Sequence, residues 1–425
     1  MTILIKGVAL NGTKKDIYIE GNRITAIEDA VDRRADTVLP GIGKAVIPSF
    51  VNGHTHAAMT LLRGYADDMP LQEWLEKKIW VMEAQMTEED IYWGAKLACL
   101  EMIKTGTTFF NDMYWFWNGT ARAVEEMGLR AAVSAVFIDF FSEEKAKEQK
   151  ALNKALFEAS RQFSDRVDFT LGPHAIYTVS EDSLKWASDF ARENSLLLHI
   201  HVSETKKEVE DCVRKHGARP VEYLDRIGFL GPNVIACHSV WLSPQEIDLM
   251  KRHDVKVVHN PISNMKLTVG NTFPYQQIQA AGVTVCLGTD GCSSNNDLDM
   301  LETMKFASLL QKHHDMDCTA LPSHEVFEMA TIRGAEAFGL DCGRIEVGAL
   351  ADMALIDLQR PELTPHFDLY SDLAYAANGS CIDTVICDGK ILMTERTVEG
   401  EEEIMEGARR AAFDLLRRAS KSYGR

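Results

Sequence analysis

The chain has 425 residues, 46% hydrophobic and 25% charged, with a formal net charge of −18. This is the balance of an ordinary soluble chain, long enough for one large domain and a smaller one, and its acidity disfavours a nucleic-acid partner, whose phosphates want a basic face. No apolar run reaches the roughly 20 residues of a bilayer span, the start "MTILIKGVALNGTKKD" has no signal-peptide pattern, and the nine scattered cysteines include no Cys-x-x-Cys pair; a cytoplasmic protein with reduced thiols and no membrane partner is expected.

In chain order, the first fifty residues predict short strands, "ILIKGVAL" and then "KDIYIEGNRITAIED" with a Gly-Asn turn between alternating runs. Beyond them, apolar runs of β-type recur: "AVIPSFVNGHTH", "TTFFND", "RAAVSAVFID", "VDFTLGPH", "SLLLHIH", "NVIACH", "VKVVHN" and "VTVCLGTD". Helical segments such as "EEDIYWGAKLACLEMIKTG" and "EDSLKWASDFARENS" separate them. Apolar strands alternating with helices predict a parallel sheet covered by helices, and eight such units predict a (β/α)8 TIM barrel. A β texture returns in "ADMALIDL" and "DTVICDGKILMTE", and "EEEIMEGARRAAFDLLRRAS" reads as a charged helix with an apolar stripe, packed on the body or on an oligomer partner.

Six of the eight runs end in a polar residue able to ligate: His56, His174, His201, His238, His259 and Asp290. Chemistry in a barrel is built at these C-terminal strand ends. His54 and His56, two apart on a strand, share a face. Either alone would more often be an ordinary strand-end histidine, but barrel closure would bring both to His201 and Asp290. Three imidazole nitrogens and one carboxylate suit Zn²⁺ or a similar borderline cation, with a place left for water. In "HIHVSE", His201 is the residue nearer the strand end and His199 a buried neighbour, while Glu204 is a carboxylate able to carry a proton. A bound divalent metal lowers the pKa of water from 15.7 to about 7. Asp290 would accept a proton from that water, Glu204 would protonate a ring nitrogen, and His238 would stabilise the attacking hydroxide. In "HNPISNMKL", His259 is read as structural, with Asn and Ser side chains bracing their own loop. Neither the paired motifs of cytidine-type zinc deaminases nor a complete His-Glu-x-x-His occurs.

The stretches "VNGHTHAAMTLLRGYADDMPLQEWL", "HVSE", "CHSVWL", "VVHNPISNMKL" and "LGTDGCSSNN" together resemble the amidohydrolase superfamily over essentially the whole chain, and within it the 5-methylthioadenosine/S-adenosylhomocysteine deaminase group. The resemblance implies a small β-sandwich built from both chain ends, residues 1–50 and 345–400, around a barrel of residues 51–344, with residues 401–425 as a C-terminal helix. It implies hydrolytic deamination of the 6-amino group of adenine nucleosides, with deamination or dechlorination of a free base such as guanine or a triazine as the alternative and a non-catalytic scaffold as a remoter one. One metal is implied, Zn²⁺ with Fe²⁺ as the substitute, because the fourth run carries His174 where binuclear relatives use a bridging Lys. Trp74 is expected against the 5′ substituent, Glu83 on the ribose hydroxyls, His174 near the ribose or purine, and Ser294 near a purine nitrogen. By themselves, Trp74 and Glu83 read as a core aromatic and a solvated helix charge. A homo-oligomer is implied as well. There is one departure: no Arg lies between Arg130 and Arg161, only lysines such as Lys145, Lys147 and Lys150, which lack the fork that suits a carboxylate. This moves the expected substrate from S-adenosylhomocysteine toward adenosine or 5′-methylthioadenosine.

Overall fold

The computed structural model describes residues 1–69 and 71–423. Pro70, in the first of the stretches above, and the last two residues of the expected 401–425 helix lie outside the described residues. The opening strands are β1 (Thr2–Leu10), β2 (Thr13–Glu20), β3 (Arg23–Glu28), β4 (Thr37–Pro40) and β5 (Lys44–Pro48). Eight further strands follow: β6 (Phe50–Thr55), β7 (Thr107–Tyr114), β8 (Arg130–Phe137), β9 (Val167–Pro173), β10 (Leu198–Val202), β11 (Val234–His238), β12 (Lys256–His259) and β13 (Val285–Leu287). Three late strands, β14 (Met353–Asp357), β15 (Ile382–Cys387) and β16 (Lys390–Met393), return to the first group.

The chain ends meet in one sheet of order β16-β15-β14-β5-β1-β2-β3, with β4 beside β1. The join is the antiparallel pair β5–β14, with Val46 opposite Leu355. Ile3, Ile5, Ile17, Ile19 and Ile24 pack in one cluster with Val46, Met353, Leu355 and Ile386. The two halves of the sheet therefore share an apolar core, and this is the end-built sandwich.

Strands β6 to β13 are neighbours in strict chain order and run parallel. Every residue of β6, β7 and β8 is buried, as strands covered on both faces must be. The covering helices start where the sequence signals them. Thr87 and Asp90 close a capping box at the head of the helix Glu88–Lys104, and Glu181–Asn194 forms the second predicted helix. Inside the barrel, Val51, Phe109 and Ala132 on one side and Ile235, Cys237, Val258 and Cys286 on the other pack around Phe338. The interior below the site is thus filled with apolar side chains.

Closure between β13 and β6 uses side-chain as well as backbone hydrogen bonds. Asn52 donates from Nδ2 to Thr289 Oγ1 at 2.7 Å and accepts the Thr289 N–H on Oδ1 at 3.0 Å, while Asp290 N–H reaches His54 C=O at 2.9 Å. Two glycines let the backbones come this close. A Cβ on Gly53 would lie 2.8 Å from Cys286 Sγ, and one on Gly288 would lie 2.8 Å from His54 N.

The helix Glu401–Tyr423 packs on the body of this chain: Leu415 and Ala419 join a cluster with Trp74 and Met82, and Ala408 and Ala411 cover Leu61. Among the described residues no helix is long and apolar enough to cross a membrane.

Candidate metal centre and active site

The C-terminal strand ends of the barrel carry the candidate site. Simple alternation does not aim all of its residues. The β6–β7 register shifts between Asn52 and Thr55, a bulge of the kind that re-aims side chains, and His54 and His56 emerge with ring centroids 4.9 Å apart. On β10 and β11, His201 is level with Cys237 and Val202 with His238, so the pleat alone would send His238 to the opposite face from His201. His238 instead has a left-handed backbone, φ +69°, and its ring comes within 5.3 Å of the His201 ring, centroid to centroid. Asp290 is also left-handed, φ +64°. Non-glycine residues rarely adopt this region, and such residues cluster at functional sites.

The four expected ligands are together at the floor. The ligand nitrogens of His54, His56 and His201 lie within 4.8 Å of one another, and Asp290 Oδ1 is 3.4 Å from His54 Nε2 and 3.3 Å from His56 Nε2. Hydrogen bonds set the ring tautomers. His56 Nδ1 donates to Met113 C=O at 2.6 Å, and His201 Nδ1 donates to His174 C=O at 2.8 Å, leaving each Nε2 with a free lone pair. His54 Nε2 is fully buried and has no hydrogen-bond partner, an arrangement unfavourable for a polar atom unless something else meets it. A borderline divalent cation fits this donor set, and the orphaned nitrogen is where it is needed.

Electrostatics match. Burial lowers the His54 imidazole to about 4, keeping it neutral as a ligand must be. Burial alone would raise the Asp290 carboxyl, but His54, His238 and His56 outweigh it and hold the group well below its usual range. Ser263 Oγ donates to Asp290 Oδ2 at 2.6 Å, and Gly291 N–H to Oδ1 at 2.8 Å. Burial raises the Glu204 carboxyl. His238 is raised because Glu204, 3.9 Å from its Nδ1, and Asp290 together overcome its burial.

Above the floor opens a cavity, part of it open to solvent. His56, Trp74, Glu83, His174, His201, Glu204, His238, Asp290 and Ser294 all line it, while His54 lies beneath. Glu83 is no solvated charge: burial raises its carboxyl, with Tyr114 and Trp115 acting against that. His259 stacks on Phe273 at 4.2 Å and takes no part in the lining. His199 lies behind His54, as expected of a buried neighbour.

Other residues were not evident from the chain alone. Trp80, Trp115 and Tyr177 complete an aromatic wall; "MYWFW" carries only the signature of a core. Ser263 and Asn264 were expected to brace their own loop. They lie instead on the short helix Pro261–Lys266 and reach other elements, Ser263 to Asp290 and Asn264 Oδ1 to His238 Nδ1 at 2.9 Å. Lys147 and Lys150 line a separate surface depression, and Lys145 sits over the Phe140 ring. Among the described residues, no Lys or Arg lines the candidate active site.

Comparison with known proteins agrees with the geometry. The model of the amidohydrolase family matches residues 45–392. The chain is 46% identical over 424 residues to a 5′-deoxyadenosine deaminase of Methanoregula boonei, covering 98% of this chain and 96% of that one. It is 48% identical over 404 residues to 5-methylthioadenosine/S-adenosylhomocysteine deaminase 1 of Archaeoglobus fulgidus, covering 94% and 95%. Among solved structures, an adenosine deaminase from Xanthomonas campestris with bound zinc superposes with a TM-score of 0.91 at 34% identity, over 98% of each chain.

Proposed function

This chain belongs to the amidohydrolase family, and we propose that it hydrolyses the 6-amino group of adenine nucleosides, taking up water and releasing ammonia and the inosine analogue. The observation that carries this reading is the convergence of His54, His56, His201 and Asp290 at the floor of an aromatic-walled pocket whose rim holds Glu204 and His238. The four floor residues would hold one divalent metal, most simply Zn²⁺, given imidazole and carboxylate donors. When bound, the metal supplies acidity to a water, whose pKa falls from 15.7 to about 7.

The remaining steps belong to the protein. Asp290 accepts the proton of the attacking water. Glu204, buried beside His238, carries a proton to a purine ring nitrogen and then assists loss of ammonia. His238, its Nδ1 engaged by Asn264, has Nε2 available for the attacking oxygen. Trp74 packs on the 5′ group, Glu83 takes the ribose hydroxyls, His174 stands near the ribose or purine, and Ser294 near a purine nitrogen. Nine unpaired cysteines suit a reducing compartment, which supports a cytoplasmic location, and a homo-oligomer is the proposed assembly.

An ultraviolet assay of adenine-to-hypoxanthine conversion over a nucleoside panel, with and without added zinc, tests the reading. Turnover of adenosine and 5′-methylthioadenosine is expected. Turnover of guanine or a triazine alone would replace the substrate class, and a chain that binds no divalent metal would return it to a scaffold.

A further inference from the structure

The helix Lys206–His216 starts at Thr205, whose Oγ1 accepts the N–H of Glu208 at 3.1 Å. An acidic residue at this third helical position ordinarily completes a capping box by accepting the N–H of the capping residue. Three other helices of this chain do so: Asp90 accepts from Thr87 N at 2.8 Å, Glu222 from Arg219 N at 2.9 Å, and Glu246 from Ser243 N at 2.9 Å. Glu208 departs from them. Its carboxylate passes Thr205, with Oε1 accepting the N–H of Ser203 at 2.8 Å and Oε2 the N–H of Glu204 at 2.8 Å.

These two amides bound a turn that needs holding. Ser203 is buried and left-handed, φ +51°, at the point where β10 stops and the chain swings to present Glu204. A non-glycine residue in that region persists only when its surroundings over-determine it. Burying a carboxylate for capping alone would be a poor exchange, since a capping box would serve the helix equally. Glu208 is 5% exposed and is not itself a lining residue of the cavity, so any effect on substrate passes through its neighbour.

We propose that Glu208 is a positioning residue whose carboxylate clamps the Ser203–Glu204 turn and so aims the Glu204 side chain at the substrate. The proposal rests on the deaminase reading above for the role of Glu204. Misplacement of a reacting group by about 1 Å costs about 10²-fold in rate. In zinc-loaded full-length enzyme, Glu208→Ala is therefore expected to lower kcat about 10²-fold, and Glu208→Gln, which keeps one acceptor oxygen, about tenfold. The KM for 5′-methylthioadenosine stays within about twofold, because ground-state binding is untouched. Zinc content and melting temperature of Glu208→Gln match wild type.

A double-mutant cycle supplies a readout that a purely structural role would not give. Adding Glu208→Gln to Glu204→Gln should cost nothing further, because the clamp then has no proton carrier to aim. Wild-type kcat in Glu208→Gln, additive losses in the double variant, or loss of kcat in step with zinc would each overturn the proposal. Amide hydrogen exchange of the peptide spanning residues 199–205 in the metal-free chain reads the clamp without activity: Glu208→Ala should expose two protected amides, and unchanged protection would refute it. Should wild type deaminate no nucleoside, the reading of function fails, and the exchange result still decides whether the clamp exists.

Discussion

Nδ1 of His54 and Nε2 of His199 lie 2.8 Å apart, with both residues fully buried. Burial lowers both imidazoles, His54 to about 4 and His199 well below its ordinary value, so the pair is neutral and one proton joins the two rings. If His54 Nε2 is to give its lone pair to a metal, Nδ1 must carry the proton and donate it to His199, whose other nitrogen is hydrogen-bonded to the Asp112 backbone. Outer partners of this kind usually tune metal affinity by about 10–100-fold. His199→Leu should weaken zinc binding by about that factor, read by competition with a chromophoric chelator. Unaltered affinity would mean that His54 needs no such orientation.

Removing the metal should abolish deamination, and zinc alone should restore it. Because only the folded chain presents the complete ligand set, zinc at 1,000 times its Kd should add about 4 kcal/mol of stability, visible as a higher melting temperature. His56→Ala should lose both the activity and the zinc-dependent rise while keeping its circular dichroism. Full activity in that variant would break the reading at its centre.

The pocket's aromatic wall and the absence of a lining cation among the described residues favour an apolar or absent 5′ substituent. A charge-assisted hydrogen bond to a carboxylate is worth about 1.5–3 kcal/mol, which translates to about 10–100-fold in kcat/KM. 5′-Methylthioadenosine should therefore exceed S-adenosylhomocysteine by about that margin in steady-state comparison. Equal values would show that a cation reaches the homocysteine end.

Gly53→Ala would press a methyl group to within 2.8 Å of Cys286 Sγ, 3.0 Å of Val258 Cγ1 and 3.1 Å of Leu287 O. Overpacking of this sort costs about 1–3 kcal/mol. A shift of the urea midpoint to lower concentration, at unchanged slope, is the expected signature. A midpoint equal to wild type would mean that the seam has room to spare.

The barrel and the candidate site at its strand ends were legible because polar residues close six of the eight apolar runs, where His56, His201 and Asp290, with His54 beside them, stand out against their neighbours. Residues that act on the site from a different element left no local trace. Ser263 and Asn264 belong to the short helix Pro261–Lys266 and serve residues on β11 and after β13; Glu208 looks like any acidic residue in the first turn of a helix. Trp74 and Glu83 were separable from an ordinary amphipathic helix only through the family resemblance, since their place at the pocket depends on how residues 71–83 fold over the strand ends. His238 is an intermediate case. Its position was readable, but its inward aim depends on a left-handed backbone that no residue pattern announces.

The seam also carries a consequence for time. His54 and Asp290 stand on its two sides, held by the Asn52–Thr289 bonds, yet they are far apart in the order of synthesis. At about 5–20 residues per second, a ribosome makes the first histidines tens of seconds before the aspartate. The helix that backs Trp74 comes later still. A nascent chain would thus offer a cation only a partial set of donors until Asp290 has been made. A cation that needs both His54 and Asp290 would then be held only by chains whose two distant strands have found each other.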